Sequence, residues 1–182
     1  MNERSEPGPA GRLVIEALDR HEKALVLYTT QILGDLERAR DVVQDAFLKL
    51  CTQDAPPEAL REWLFTVCRN RAFDVLRKEK RMAFGAENEP AIRQIDGAAG
   101  PAELADRRDR LSDVLAEVSR LPERDQEILR LKFQQGLSYR EIGKVTGLSI
   151  SHVGVILHDA LGSLRRRLDG NQMARPRLGG ES

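Results

Sequence analysis

Residues 138–157 read SYREIGKVTGLSISHVGVIL, and this stretch predicts two helices joined by a tight turn. Ser138 and Glu141 have the spacing of a capping box, in which both side chains accept hydrogen bonds from free backbone N–H groups at a helix start. Gly147 permits a sharp turn, and Ser149 can cap the next helix. The predicted inward stripe of that second helix consists of Val153, Leu157, Ala160, Leu161 and Leu164. The pattern is that of a helix-turn-helix unit.

The second helix of such a unit lies in the major groove of DNA and reads bases with residues near its N-terminus, while the first helix crosses the phosphate backbone. On the first helix, Arg140 and Lys144 are the candidate DNA contacts. On the second helix, the candidates are Ser151, His152, Val155, Ile156, His158 and Arg165. We expect these side chains to be exposed and to bind DNA.

Apolar residues elsewhere recur at intervals of three and four along the chain and almost never alternate, which is typical of helices. The fold class is therefore predicted to be all-α. Within 82–101, Gly, Pro and Ala replace the apolar period, which predicts a flexible linker between two small helical domains. These domains are predicted to cover 12–81 and 102–168, and the chain ends, 1–11 and 169–182, are predicted to be disordered.

Helix bounds are predicted from periodicity and from start and stop signals. Gly34 and Asp35 act as a stop and a new N-cap between the first two helices. The predicted helices cover about 13–33, 36–51, 58–80, 102–120, 123–135, 139–146 and 150–168. The predicted inward residues of the second helix are Ala39, Val42, Val43, Ala46, Phe47 and Leu50. Those of the third are Trp63, Leu64, Val67, Cys68, Ala72, Val75 and Leu76.

The chain has no net charge, with 29 basic and 29 acidic residues, so affinity for nucleic acid has to come from local clusters. Residues 61–81 hold such a cluster, with seven basic and three acidic residues and a balance of +4. A basic helix suits phosphate binding, and aromatic rings among cations suit unstacked bases. The candidate contacts are Trp63, Arg69, Arg71, Phe73, Arg77 and Lys78. Alternatively, Trp63 fills the core, because its spacing to Leu60 and Val67 fits an apolar stripe.

The second predicted helix and its flanks have the opposite character. Residues 34–58 contain six acidic and three basic residues. Asp41, Gln44 and Asp45 share the face opposite the apolar stripe. Because an acidic face repels DNA, it is either a solvated surface or a docking surface for a protein partner.

The sequence contains no recognisable catalytic or metal-binding pattern. Cys51 and Cys68 are too few for a disulfide framework or a four-cysteine metal site, and both are predicted to be buried. His21, His152 and His158 are too scattered for a catalytic cluster, and no HExxH, P-loop, GxSxG or CxxC spacing occurs. We therefore predict no cofactor, no metal and no enzymatic activity. No apolar stretch suits a signal peptide or a membrane span, so a cytoplasmic protein is expected.

Three further observations point to one protein family. The segments are DVVQDAFLKL at 41–50, REWLFTVCRNRAFDVLR at 61–77, and LPERDQEILRL at 121–131 ahead of the helix-turn-helix. In these segments the chain resembles bacterial RNA polymerase sigma factors of the extracytoplasmic-function type, which form group 4 of the sigma-70 family. The segments occur in the family's order, with a linker where the family has one.

The resemblance implies partners and roles. Core RNA polymerase would bind at Asp41, Gln44 and Asp45, the third helix would hold the melted −10 region of promoter DNA, and the C-terminal domain would bind the −35 element. An anti-sigma factor is a further candidate partner, since sigma factors of this type often have one. The run His152-Val153-Gly154-Val155-Ile156 departs from the Thr-Val-Lys-Ser-Arg-like run of similar reading helices, so few charged base contacts are expected there.

A second hypothesis is that the helix-turn-helix binds DNA but the chain does not bind RNA polymerase. The C-terminal domain also resembles the DNA-binding modules of response regulators. The chain would then be a transcriptional repressor or activator that is not a polymerase subunit. Co-purification with core polymerase distinguishes the two hypotheses.

Overall fold

The computed structural model describes the backbone of residues 9–83 and 112–174, and the side chains of 11–82 and 112–169. Every regular element in these ranges is helical, which confirms the prediction of an all-α fold. The described helices form two compact units. The predicted linker lies outside the described residues, except that its first two residues end a helix.

Three helices make up the N-terminal unit: α1 (Pro9–Leu33), α2 (Leu36–Cys51) and α3 (Leu60–Ala83). The predicted bounds of α2 are confirmed at both ends. α1 begins inside the segment that the sequence predicts to be disordered, and α3 continues into the predicted linker. α1 begins at Pro9, a residue suited to the first position of a helix, and α3 meets no Gly or Pro before its end at Ala83.

The turn between α1 and α2 follows the stop signal in the sequence. Gly34 has a φ of 70°, a left-handed conformation that favours glycine, and its N–H donates to the Thr30 carbonyl at 2.7 Å. The Asp35 carboxylate accepts from the Arg38 backbone N–H at 3.0 Å and so caps α2. Both predicted roles are confirmed.

The core of this unit contains all six residues of the predicted α2 stripe. Tyr28 of α1 and Phe65 of α3 are also fully buried, with ring centroids 5.3 Å apart and planes inclined by 60°. The inward prediction for α3 is right for Leu64, Cys68 and Ala72. It omitted Phe65, and the remaining predicted residues, Trp63, Val67, Val75 and Leu76, are only partly buried.

The two cysteines differ in burial. Cys68 is buried as predicted, whereas Cys51 is exposed, so the prediction for Cys51 is wrong. Cys51 is the last residue of α2 and follows Leu50, with which the buried stripe ends. Burial raises the pKa of the Cys68 thiol to about 12.

The C-terminal unit begins, within the described residues, with a helix over 112–119 (α4). The later helices are α5 (Glu123–Leu129), α6 (Tyr139–Thr146) and α7 (Ile150–Ala174). The predicted bounds of α6 are confirmed. α7 continues past its predicted end, so the disorder predicted for the C-terminal end is wrong as far as Ala174, and later residues lie outside the described range.

The single helix predicted over 123–135 has two parts. After α5 the backbone widens into a π-helical turn at Arg130–Gln134. The Gln135 N–H donates to the Arg130 carbonyl and the Leu137 N–H to the Leu131 carbonyl, both at 3.0 Å. Gly136 has a φ of 66° and ends the helix where the sequence predicts.

The buried core of this unit includes Leu121, Ile128, Leu131, Leu137, Ile142, Val145, Val153, Leu157, Ala160 and Leu164. Leu161 is 44% exposed, so the prediction that it faces inward is wrong. Glu117 is buried and forms ion pairs with Arg120 and, at 3.7 Å, with Arg167. A buried carboxylate is therefore compensated by two guanidinium groups.

Candidate nucleic-acid and protein interfaces

The acidic face of α2 lies opposite the buried stripe, as the sequence predicts. Asp41, Gln44 and Asp45 are all exposed. Leu48 follows Gln44 by one turn on the same face and is 58% exposed. The sequence analysis missed Leu48, although its spacing to Gln44 and Asp45 indicates the position. An apolar side chain among polar ones gives this surface the mixed composition of protein-binding sites.

One member of the acidic face contacts the basic helix. The Nε of Arg71 on α3 lies 3.2 Å from Oδ2 of Asp45 on α2, and both side chains are more than half exposed. An exposed ion pair of this kind contributes roughly 0–1 kcal/mol to stability. The two predicted sets of site residues therefore meet at this pair.

The basic face of α3 comprises Arg69, Arg71, Phe73, Arg77 and Lys78. The guanidinium carbon of Arg69 lies 4.8 Å from the centroid of the Phe73 ring, a cation–π contact. Arg77 is paired with Asp74, and Lys78 is exposed. The structure therefore brings a cation and an aromatic ring together, as the sequence predicts. Trp63 is half-buried, which agrees with either of its predicted roles.

The helix-turn-helix is held by the caps that the sequence predicts. The Ser138 N–H donates to the Glu141 carboxylate at 2.7 Å, and the Glu141 N–H donates to the Ser138 hydroxyl at 3.3 Å. The His152 N–H donates to the Ser149 hydroxyl at 3.2 Å and caps α7. Gly147, in the turn, has a φ of 75°. The capping box thus fixes the start of α6, and Ser149 fixes the start of α7, the reading helix.

Gly143 permits the close approach of the two helices in this turn. A Cβ atom at Gly143 would lie 2.7 Å from the backbone carbonyl oxygen of Leu148. The Leu148 N–H in turn donates to the Gly143 carbonyl at 3.0 Å. A side chain at this position would therefore displace backbone.

Most of the predicted DNA contacts are exposed. Arg140 and Lys144 on α6 are exposed, as are the α7 residues Ser151, His152, Val155, His158 and Arg165. The prediction for Ile156 is wrong, because only 8% of its surface is exposed. Ile156 follows Val153 by three residues and precedes Ala160 by four, which places it beside the buried stripe.

Two further side chains lie beside the reading helix. The Nζ of Lys132 is 5.3 Å from the centroid of the Tyr139 ring, and Tyr139 is 41% exposed. A Cβ at Gly154 would lie 3.7 Å from this ring, so Tyr139 covers that part of α7. Neither residue was among the predicted DNA contacts.

Arg124 of α5 contacts the reading helix as well. Its Nη2 is 3.4 Å from Nδ1 and 3.3 Å from Nε2 of His152. The sequence analysis missed this contact, and no local signal reveals it because 28 residues separate the partners. An arginine therefore lies at the start of a helix that has no Lys or Arg of its own before Arg165.

The described residues form neither a metal site nor a membrane span. Within the described part of the chain, no group of three or more His, Cys, Asp or Glu side chains is placed to hold a metal ion. None of the helices described is long and apolar enough to cross a membrane.

Solved structures of similar fold include two sigma factors. The sigma factor RpoE from Bartonella quintana, solved with the anti-sigma factor NepR, matches with a TM-score of 0.69 and 21% identity over 87% of this chain and 98% of that chain. CnrH, solved with the cytosolic domain of CnrY, matches with a TM-score of 0.60 and 23% identity over 87% and 89%. These matches agree with a fold of two helical domains.

Sequence comparisons identify the family. The model of sigma-70 region 2 matches residues 17–82, and that of sigma-70 region 4 matches residues 118–166. The sigma factor CnrH of Cupriavidus metallidurans is 30% identical over 72% of this chain and 73% of its own length. The ECF sigma factor SigL of Mycobacterium tuberculosis is 29% identical over 82% and 85%. The chain therefore belongs to the sigma-70 family of RNA polymerase sigma factors, among its extracytoplasmic-function members.

Proposed function

We propose that the acidic face of α2 is the docking surface for core RNA polymerase and that the basic face of α3 holds the melted promoter strand. As a sigma factor, the chain directs transcription initiation. The observation that carries the proposal is the ion pair between Asp45 and Arg71. Because this pair joins the acidic face of α2 to the basic face of α3 within one unit, it supports adjacent surfaces for polymerase and for nucleic acid.

The exposed cations of α3 and its half-buried Phe73 ring support the second role. A melted strand offers phosphates to Arg71, Arg77 and Lys78, and unstacked bases to aromatic rings. Phe73 already stacks with a guanidinium group, that of Arg69, so this surface can take a base beside an existing cation–π pair. Trp63 is a further candidate at the edge of the core.

For the helix-turn-helix we propose binding to the upstream promoter element. Arg140 and Lys144 would contact phosphates, since the first helix of such a unit crosses the backbone. The base-reading candidates are Ser151, His152, Val155 and His158, with Arg165 further along α7. Ile156 is left out because it is buried.

Partners and domain limits follow from the family. Membership of the sigma-70 family favours the hypothesis that the chain is a polymerase subunit over the hypothesis that it is a regulator acting without polymerase. RpoE and CnrH were solved with NepR and CnrY, and we propose a protein of the anti-sigma class as a partner here too. We also propose that the chain performs no chemistry of its own and works in the cytoplasm with the polymerase. Its two domains are proposed to cover about 12–81 and 102–168.

The docking proposal is tested by reversing one charge. Asp41→Lys should weaken binding to purified core polymerase by about tenfold or more, because it places a cation in an acidic docking surface. Glu22→Lys is the matched control, since Glu22 is an exposed acid of α1 and its replacement changes the net charge equally. Both variants should keep the wild-type helicity and melting temperature. Equal core affinity of the two variants would contradict the assignment.

A further inference from the structure

We propose that Arg124 of α5 is the cationic base-reading residue of the helix-turn-helix, that His152 holds it at the start of the reading helix, and that it recognises a guanine. The proposal rests on the proposed function, because it takes promoter DNA as the ligand of this surface. It concerns a residue outside the two helices that usually carry recognition in such a unit.

From the distances between the two side chains we infer that the Arg124 guanidinium group lies over the His152 ring. Nη2 of Arg124 lies at nearly equal distances, 3.4 and 3.3 Å, from both ring nitrogens of His152. Each ring nitrogen carries its lone pair or its N–H in the ring plane, and the two nitrogens point in different directions. A hydrogen bond in the ring plane would therefore bring Nη2 closer to one nitrogen than to the other. Equal distances place Nη2 over the ring face, where guanidinium groups stack on aromatic rings.

Stacking leaves the hydrogen-bonding capacity of Arg124 available. A guanidinium group has five N–H donors in a planar fork, and the contact with His152 involves Nη2 alone. Within residues 112–169 and 11–82, the structure gives Arg124 no carboxylate partner. By contrast, two neighbouring arginines have side-chain oxygen partners. Arg120 pairs with Glu117, and Arg130 donates to Gln126 at 2.8 Å.

The position of the pair is that of a reading residue. His152 is exposed and its N–H is capped by the Ser149 hydroxyl, so it belongs to the first turn of α7. Residues near the N-terminus of the second helix contact base edges. Since α7 has no Lys or Arg before Arg165, Arg124 supplies the cation that its first turns lack.

The chemistry of a planar fork points to guanine. The guanidinium group can donate two hydrogen bonds to O6 and N7 of guanine in the major groove, the commonest specific contact between proteins and DNA. Val155 is exposed on the same helix and offers an apolar contact for a thymine methyl group. A guanine preference at one position of the upstream element is therefore expected.

The test is a selection from promoter DNA whose upstream element is randomised. Holoenzymes are assembled from core polymerase with wild type, Arg124→Ala or Arg166→Ala. Arg166 is an exposed arginine of α7, so its replacement controls for the loss of one positive charge. Wild type and Arg166→Ala should prefer guanine at one position. Arg124→Ala should lose that preference by roughly 5- to 150-fold and keep the preferences at other positions.

His152 is tested as a positioning residue. His152→Ala should weaken the guanine preference, because the guanidinium group loses its stacking surface. His152→Phe keeps an aromatic face without ring nitrogens and should restore most of the preference. A His152→Ala holoenzyme that prefers guanine as strongly as wild type would overturn the role of His152.

The other outcomes overturn the proposal in distinguishable ways. If Arg124→Ala selects the same sequences as wild type, Arg124 does not read a base. If it binds all sequences more weakly by one common factor, Arg124 contacts only phosphate. If the wild-type holoenzyme selects no upstream sequence at all, the proposed function of the helix-turn-helix itself fails.

Discussion

At the scale of single residues, His21 links stability to pH. Burial lowers its pKa, and the positive charges of Arg61 and Arg20 lower it further. The unfolded chain, with an ordinary histidine pKa of 6.5, therefore binds more protons than the folded chain near that pH. This difference makes folding less stable as the pH falls from about 7.5 to about 5.5. His21→Gln should reduce the loss, measured as the shift of the urea unfolding midpoint between these pH values.

The matched control for this prediction is His158→Gln. His158 is an exposed histidine of α7 and is replaced by the same residue. The contribution of His21 is refuted if His21→Gln and wild type lose the same stability over the interval.

The sequence predicted correctly whether a residue is buried in the middle of an apolar stripe. At the edges of a stripe it did not. All six stripe residues of α2 are buried, as the apolar period of that helix predicts. Ile156 and Leu161 lie at the edges of the α7 stripe, and there the periodicity does not decide which side a residue takes. The stacking of Arg124 on His152 joins separate elements, so no spacing rule could predict it.

At the scale of elements, local capping chemistry made α2 and α6 predictable. Asp35 and Ser138 form the predicted caps, and the helices begin directly after them. The π-helical turn at Arg130–Gln134 was not predictable, because its widened hydrogen bonding leaves no mark in the apolar period. The turn of the helix-turn-helix depends on glycine positions that can be tested directly.

Gly143→Ala should destabilise the helix-turn-helix. Its Cβ would meet a backbone oxygen at 2.7 Å, and such overpacking costs typically about 1–3 kcal/mol. Gly154→Ala is the matched control, since its Cβ would only touch the Tyr139 ring at 3.7 Å and alanine gains roughly 1 kcal/mol of helix propensity. Thermal unfolding followed by circular dichroism should show a lower midpoint for Gly143→Ala and an unchanged or higher one for Gly154→Ala. The reverse order would refute the account of this turn.

At the scale of the whole molecule, the distribution of charge matters more than its sum. The chain has no net charge, yet α2 presents an acidic face and α3 a basic one. Each unit also separates its roles by helix face, with the apolar stripe inward and the polar set outward. Binding to nucleic acid should therefore depend on the position of each cation. Loss of a cation from the basic face of α3 should weaken binding to nucleic acid, whereas loss of a cation elsewhere should not.

This dependence on position predicts a difference in salt sensitivity. Each phosphate contact with a single strand contributes about 0.7 to the slope of log affinity against log salt concentration. Arg77→Ala with Lys78→Ala should therefore lower the slope for binding of the holoenzyme to a melted promoter strand by about 1.4. Arg12→Ala with Lys23→Ala removes the same charge from exposed positions of α1 and should leave the slope unchanged. Equal slopes for the two double variants would show that net charge, rather than the basic face of α3, governs binding.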